Sequence, residues 1–315
     1  MTTTAQWLQT DPRWAGVREE WLEVDGRPVR VLRAGDGRRG EPQLLIHGLG
    51  GSAANWIDVI GPLARTGPVV AVDLPGFGHT RIAPGDDCTV PGYVGFIRRV
   101  LDALGWDRAA LHGNSMGGLI ATHLAAQQPE RVSRQVLVSP ALPPSCALRF
   151  LPVPLPTLQG FVSMAVPAVS GAVLGAVTGR ENDSARAMLG IIFRDIDAIR
   201  PSLLAAMGAD AISTDPEQVA DRRRALGSAT ASIARMWVDP RRTWQAIRRV
   251  EAPTLLLGGT ADALVPARAL REVLGARPDW DGALITDRRH ALMLSEPDEF
   301  LDHVHEWRHA GLRAA

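Results

Sequence analysis

The 315-residue sequence contains no lysine, so its 34 basic residues are all arginine. They are balanced by 34 acidic residues, and the formal net charge at neutral pH is zero. A protein that binds nucleic acid needs a basic face to neutralise phosphates. The charge balance therefore argues against nucleic acid as a main partner. We attribute the absence of lysine to a compositional bias of the genome.

Cysteine is also scarce. Only Cys88 and Cys146 occur, and their positions fit neither a metal-binding spacing nor a disulfide framework. The first 16 residues lack the basic region and apolar run of a secretory signal. These absences predict a cytoplasmic protein in a reducing environment.

The longest stretch without charge is Phe150–Gly179, which is long enough to raise the question of a membrane span. Prolines and glycines interrupt it at Pro152, Pro154, Pro156, Gly160, Pro167, Gly171 and Gly175. We interpret the stretch as an apolar lid and expect no transmembrane segment. Contact of this lid with a membrane surface or a lipid aggregate stays open.

Short apolar runs alternate with helix-like segments along much of the chain. Continuous runs of this kind are typical of strands buried on both faces, as in a parallel sheet flanked by helices. The predicted strands are Val29–Arg33, Gln43–His47, Val69–Asp73, Ala109–His112, Gln135–Ser139, Thr254–Gly258 and Ala283–Thr286. The predicted helices are Val94–Leu104, Leu119–Gln127, Ala267–Leu274 and Pro297–Ala310. This alternation predicts an open α/β fold.

The alternation stops between Pro140 and about Arg248, where no clear strand occurs. Helix-like pieces follow one another instead, at Asp183–Ile199, Pro201–Met207 and Pro216–Arg235. We therefore predict a core of residues 1–142 and 249–315, with a helical cap of residues 143–248. The cap would cover the carboxyl edge of the sheet, where open α/β sheets bind ligands.

The segment Gly113–Gly117 reads Gly-Asn-Ser-Met-Gly between a strand-like run and a run of helix formers. Such a string also occurs in ordinary turns, so alone it carries about even odds of being catalytic. At a tight strand-to-helix turn, however, flanking glycines avoid clashes and the serine oxygen is exposed. This placement predicts Ser115 as a nucleophile.

A nucleophilic serine needs a base and a group that orients the base. Asp262 follows one late strand and His290 follows the next, so both would lie on the same rim as Ser115. Glu251 precedes its strand, and Asp287 is too close to His290 in sequence to orient it. His112 and His123, which flank the serine turn, are assigned to packing or to the surface, and His303, His305 and His309 to a solvated helix face. The predicted triad is Ser115, His290 and Asp262.

Two backbone amides should stabilise the oxyanion. The amide of Met116 is one candidate, and the amide of Leu49 in the glycine-rich segment His47–Gly51 is the other. The glycines there would let the backbone approach substrate closely, although a flexible turn has the same composition. The candidates for substrate contact are Gly48, Asn114, Phe161 and Met164.

Together these segments resemble the α/β-hydrolase superfamily with a cap domain. The resemblance rests on His47–Gly51, Asn55-Trp56, Asp73–Gly78, Gly113–Gly118, Gly259–Pro266 and His290. It implies an esterase- or lipase-like serine hydrolase that uses neither metal nor organic cofactor. The substrate would be a small hydrophobic ester, since the cap is apolar. In this family Asp73 would be structural, and His47 would brace its loop.

The resemblance also leaves alternatives open. Epoxide hydrolases and haloalkane dehalogenases place Asp at the position of Ser115, and polyester synthases place Cys there. Carbon–carbon hydrolases of ring-cleavage products are similar around Ser115, but they usually have Trp where this chain has Ala291. They also use an arginine in the cap, which Arg194 or Arg200 could provide here. A ligand receptor on the same fold and a transferase are further alternatives. The oligomeric state and acyl length stay open.

Overall fold

The computed structural model describes residues 7–145, 189–211 and 215–314, and an eight-stranded sheet forms its centre. The strand order is β1-β2-β4-β3-β5-β6-β7-β8. Pairing is antiparallel from β1 to β2 and from β2 to β4, and parallel across the rest of the sheet. The strands are β1 Arg18–Val24, β2 Arg27–Ala34, β3 Gln43–Ile46, β4 Val69–Val72, β5 Ala109–Asn114, β6 Val132–Val138, β7 Thr254–Gly259 and β8 Asp281–Ile285.

The helices of the described residues lie between and after these strands. They are α1 Ile57–Leu63, α2 Val90–Ala103, α3 Met116–Gln127, α4 Pro201–Ala211, α5 Pro216–Val238, α6 Arg241–Arg249, α7 Ala267–Ala276, α8 Leu292–Ser295 and α9 Pro297–Ala314. The prediction of a mostly parallel sheet flanked by helices is confirmed. None of these helices is both long enough and apolar enough to cross a membrane.

The sheet is covered on both faces because its central strands alternate between two hydrophobic clusters. On β3, Leu44 and Ile46 belong to one cluster, whereas Leu45 between them belongs to the other. This period of two follows from the geometry of a strand, whose successive side chains point to opposite faces. The continuous apolar runs in the sequence therefore correspond to strands buried on both sides.

The sequence analysis missed the edge strand β1. Its sequence, Arg18–Val24, begins with three charged residues and mixes charged with apolar side chains, and only Val24 is buried. An edge strand with one solvated face lacks the continuous apolar run that identifies the central strands. Glu19 and Glu20 instead form ion pairs with Arg30 and Arg33 on β2.

The helix predicted over Asp183–Ile199 is wrong for its described part, since residues 190–199 form turns and irregular structure. The Asp195 carboxylate accepts hydrogen bonds from the amides of Asp197 and Ala198, at 3.1 and 3.3 Å. Such local bonds compete with the helical pattern. The next helix, α4, begins at Pro201, a residue suited to a first helical position.

Two buried histidines beside the central strands are held neutral. Burial, with Arg308 and Arg134 nearby, lowers the pKa of His112 to about 3. Burial likewise lowers the pKa of His123 to about 4, and its Nε2 lies 3.3 Å from Thr243 Oγ1. Both therefore pack in the interior, one of the two roles, packing or surface, that the sequence left open for them.

These shifts predict acid sensitivity. An unfolded histidine has a pKa of about 6.5, so below that pH the unfolded chain binds protons that the native state does not. The free energy of unfolding should fall as pH decreases from about 6.5 toward 4, by about 1.4 kcal/mol per pH unit for each buried histidine. Urea unfolding of His123→Gln at a series of pH values should show a shallower slope than wild type. Thr243→Val, which keeps the histidine, should retain the slope; equal slopes in all three proteins would contradict the assignment.

Candidate active site

Ser115 lies in a strained turn between β5 and α3. Its φ of 54° and ψ of −115° place it in the left-handed half of backbone space, where residues other than glycine are rare. Its amide donates to the carbonyl of Val138 at 3.0 Å, and its own carbonyl accepts from the amide of Ala141 at 2.9 Å. The end of β6 and the loop that follows it therefore both bond to the turn, which is how such strain persists.

The glycines that flank the turn are required by space. A Cβ atom on Gly113 would lie 2.4 Å from the carbonyl oxygen of Gly117. A Cβ atom on Gly117 would lie 2.2 Å from the carbonyl oxygen of Ile46, at the end of β3. Neither glycine has a positive φ. The expectation that side chains at these positions would clash is confirmed.

Asp262 and His290 are directly hydrogen-bonded. His290 Nδ1 lies 2.9 Å from Asp262 Oδ2, and both side chains are buried. Asp262 Oδ1 accepts from the amides of Leu264 and Val265, at 2.8 and 3.0 Å. With one oxygen held by the backbone, the other faces the imidazole. The Nδ1 proton then lies on the side of Asp262, and Nε2 of His290 is left as the basic nitrogen.

Asp262 is kept ionised by these partners. Burial by itself raises the pKa of this carboxyl, but His290, the amide of Val265 and Ser139 outweigh it, so the pKa lies below its usual range. A buried carboxylate with its hydrogen bonds satisfied can orient an imidazole and stabilise its protonated form.

The two loops that carry Asp262 and His290 are joined by backbone bonds. The amide of Thr260 donates to Ile285 at 2.9 Å, and that of Ala261 donates to Arg288 at 3.1 Å. A Cβ atom on Gly259 would lie 2.0 Å from the carbonyl oxygen of Arg288, so only glycine permits this approach. Residues 28 positions apart are thereby brought to one edge of the sheet.

Asn114 connects this pair to the serine turn. Its Nδ2 donates to the carbonyls of Val138 and His290, at 3.1 and 3.2 Å. The residue that precedes Ser115 is thus bonded to the backbone of His290. These contacts give Asn114 a bracing role that the sequence analysis did not foresee, and its contact with substrate stays a prediction.

The glycine-rich segment forms a turn against Ser115. The amide of Gly51 donates to the carbonyl of Gly48 at 3.1 Å, and Gly50, at the third position of the turn, has a φ of 74°. A Cβ atom on Gly48 would lie 3.1 Å from Ser115 Cβ. No described residue accepts a hydrogen bond from the amide of Leu49 or of Met116. Among the described residues, both amides are therefore left without an acceptor.

His47 braces this turn. Its Nε2 accepts from the amide of Leu74 at 3.1 Å, so the ring proton is on Nδ1, which donates to the carbonyl of Gly48 at 2.7 Å. Burial lowers the pKa of His47, consistent with a neutral ring. Asp73 is likewise structural, because its carboxylate accepts from the amides of Ala53 and His79 at 2.7 and 2.9 Å.

The remaining residues named from the sequence are candidates for the cap and for substrate contact. Phe161 and Met164, with the apolar stretch Phe150–Gly179 and Cys146, are outside the described residues. Arg194 pairs with Asp287 at 3.0 Å, in the loop before His290. Arg200 pairs with Asp58 and Asp11, near the N-terminal segment.

The comparisons with known proteins agree with this architecture. The family model for the alpha/beta hydrolase fold matches residues 42–297, so the chain belongs to that family. The chain is 28% identical to the 2-hydroxy-6-oxo-6-phenylhexa-2,4-dienoate hydrolase of Comamonas testosteroni, over 75% of this chain and 76% of that protein.

A shorter match reaches 41% identity with the dihydrolipoyllysine-residue acetyltransferase component of the acetoin cleaving system of Cupriavidus necator. It covers 40% of this chain and spans only 33% of the relative's length. Among solved structures, a carboxylesterase of Bacillus subtilis superposes with a TM-score of 0.72, at 20% identity, over 96% of this chain and 95% of that one. At this identity the likeness concerns the fold.

The packing of Gly117 generates a prediction about stability. Gly117→Ala forces a methyl group against backbone carbonyls of β3, which cannot move independently, and should lower the free energy of unfolding by at least about 2 kcal/mol. Gly227→Ala, in α5, is the matched control: a Cβ atom there meets nothing within 4 Å. That change should stabilise by about 0.5–1 kcal/mol through helix propensity. Chemical denaturation measures both, and a neutral Gly117→Ala would contradict the packing argument.

Proposed function

We propose that this chain is a serine hydrolase that cleaves carboxylic esters with a hydrophobic acyl or alkyl group. One observation carries the proposal: Ser115 occupies a strained turn whose preceding residue is bonded to His290, and His290 is in turn bonded to Asp262. Family membership and the named hydrolases among its relatives support hydrolysis as the class of reaction.

In the proposed acylation step, His290 Nε2 takes the proton of Ser115 Oγ as this oxygen attacks the ester carbonyl carbon. The electron pair of the carbonyl moves onto its oxygen, which the amides of Leu49 and Met116 stabilise. Collapse of this intermediate breaks the carbon–oxygen bond. The alcohol leaves with the proton held by His290.

In the proposed deacylation step, water takes the place of the alcohol. His290 removes a proton from the water as the water oxygen attacks the acyl carbonyl carbon. The bond from this carbon to Ser115 Oγ then breaks, the carboxylic acid leaves, and His290 returns the proton to Ser115 Oγ. Asp262 holds the tautomer of His290 throughout and stabilises its positive charge. No group beyond these residues and water is needed to balance the reaction.

We further propose that residues 143–248 form the cap over this edge of the sheet. The helices α4 and α5 and all of α6 but its last residue lie within this range, and the apolar stretch Phe150–Gly179 would supply a surface for the hydrophobic part of the substrate. Phe161 and Met164 are the candidates to line it, and contact of the cap with lipid belongs to the same proposal. Cytoplasmic location stays a prediction.

Carbon–carbon bond hydrolysis of ring-cleavage products is the second candidate. The 28% identical relative bears the name of such an enzyme and matches three quarters of both chains. Against it, Ala291 follows His290 where those enzymes usually have tryptophan. Arg200 is also engaged by Asp58 and Asp11. We therefore favour ester hydrolysis.

The first experiment is rapid-mixing release of p-nitrophenol from esters of short and medium acyl chains. Wild type should give a burst equal to the enzyme concentration followed by turnover, because p-nitrophenolate leaves readily and acylation is then faster than the separate deacylation step. Ser115→Ala should show neither. Absence of release from wild type across the series would contradict ester hydrolysis, and a ring-cleavage dienoate would then be the substrate to test.

A second pair of variants tests the orienting acid. Asp262→Asn removes the carboxylate that fixes the His290 tautomer and should lower kcat by about 10⁴-fold. Asp287→Asn is the matched control, since this nearby carboxylate pairs with Arg194 rather than with His290. It should change kcat less than about threefold, by analogy with other exposed charges. Equal losses in steady-state assays of both variants would contradict the assigned role of Asp262.

A further inference from the structure

A buried cluster of charges lies beside the turn Gly48–Gly51, called here the glycine turn. The Arg30 guanidinium on β2 is fully buried and donates to Asp210 Oδ2 at 2.7 Å and to Asp73 Oδ2 at 3.2 Å. Its Nε donates to Glu19 at 2.9 Å. Asp210 lies on α4, 180 residues from Arg30 in sequence, and its side chain is only 2% exposed. The cluster therefore fixes α4 onto the sheet.

Asp210 also reaches the segment that follows the glycine turn. Ser52 Oγ donates to Asp210 Oδ2 at 2.6 Å. Ser52 caps the short 3-10 helix Ala53–Trp56, and its amide donates to Asn55 Oδ1 at 3.0 Å. Asn55 Oδ1 lies 2.1 Å from where a Cβ atom of Gly51 would stand. Ser52 thus sets the exit of the turn that contains Leu49.

We propose that Asp210 is a positioning residue that holds the glycine turn in place through Ser52. The inference rests on the proposed function, in which the Leu49 amide stabilises the oxyanion. Asp210 touches neither Ser115 nor His290 among its described contacts; of the candidate site it reaches only this turn, through Ser52. The packing of α4 against the sheet and the ordering of the glycine turn therefore depend on the same carboxylate.

The chemistry of the site requires a carboxylate here. One oxygen of Asp210 accepts from both Arg30 and Ser52, and the other accepts from His79 Nε2 at 3.2 Å. An amide has a single accepting oxygen, so its NH₂ group would face either the Arg30 and Ser52 donors or His79 Nε2, which would then have to lose its proton. Burial raises the pKa of Asp210, but Arg30, His79 and Ser52 outweigh burial and hold that pKa below its usual range. The Asp210 carboxylate is therefore charged at neutral pH.

The opposite end of α4 supplies a matched control. Arg200, which precedes the helix, pairs with the buried Asp58, and Asp58 also accepts from Trp14 Nε1 at 2.8 Å. Like Asp210, Asp58 is a buried carboxylate, and through Arg200 it ties the residue that precedes α4 to the core. None of the hydrogen bonds described for it involves the glycine turn. Asp58→Asn therefore weakens docking without touching the turn.

The experiment compares Asp210→Asn, Ser52→Ala and Asp58→Asn with wild type. The main readout is inhibition by a trifluoromethyl ketone, which adds to the serine and places an oxyanion at the two amides. The second readout is binding of the product carboxylate, which does not form that oxyanion. Unfolding by urea gives the stability of each variant.

We expect Asp210→Asn and Ser52→Ala to weaken ketone inhibition and to lower kcat/KM in parallel, by about 10- to 100-fold, since a shift of about 1 Å costs this much. Product binding should change less than about threefold. Asp58→Asn should lose stability but keep ketone inhibition. The proposal is overturned if Asp58→Asn weakens the ketone as much as Asp210→Asn does, or if Ser52→Ala leaves it unchanged.

Hydrogen exchange separates this inference from the proposed function. Amides of residues 48–56 should exchange faster in Asp210→Asn and Ser52→Ala than in Asp58→Asn, whether or not wild type hydrolyses an ester. If wild type is inactive but the variants show this exchange pattern, the ester-hydrolase proposal is contradicted and the positioning role of Asp210 is supported. If wild type is active but exchange is unchanged in the variants, the positioning role of Asp210 is contradicted and the ester-hydrolase proposal is supported.

Discussion

The position of Ser115 depends on the close approach of two backbones. Gly117, in the first turn of α3, lies so near the end of β3 that no Cβ atom fits between them. Since β5 and β3 are neighbouring parallel strands, this contact fixes the angle at which the helix leaves the sheet. That angle requires the left-handed φ of Ser115. Bonds to the end of β6 and to the loop after it maintain this backbone conformation.

Buried charge is managed in two different ways on this edge of the sheet. Asp262 is stabilised by backbone amides and by His290, so its partner is the imidazole it orients. Asp210 is stabilised by Arg30, a permanent cation, and by Ser52. An unpaired charge would be costly in either place, and each carboxylate therefore specifies the position of the groups around it.

The prediction of the fold worked where burial and local pattern coincide. The central strands are apolar on both faces, so a continuous run identifies each of them. The same reasoning missed β1, whose outer face is solvated, and it extended a helix over residues 190–199, where the side chain of Asp195 caps a turn instead. In both cases polar contacts decide the local structure, and hydrophobic periodicity does not detect them.

By itself the sequence determined the serine turn, its glycines and the order of strands that brings Asp262 and His290 after it, because these are local requirements of space and chain direction. Only the tertiary structure showed the bond from Asn114 to His290 and the cluster of Arg30, Asp210 and Ser52. Buried ion pairs between residues 180 positions apart follow no period and no spacing. They depend on which surfaces the folded helices bring together, and the chain decides this only once it has packed.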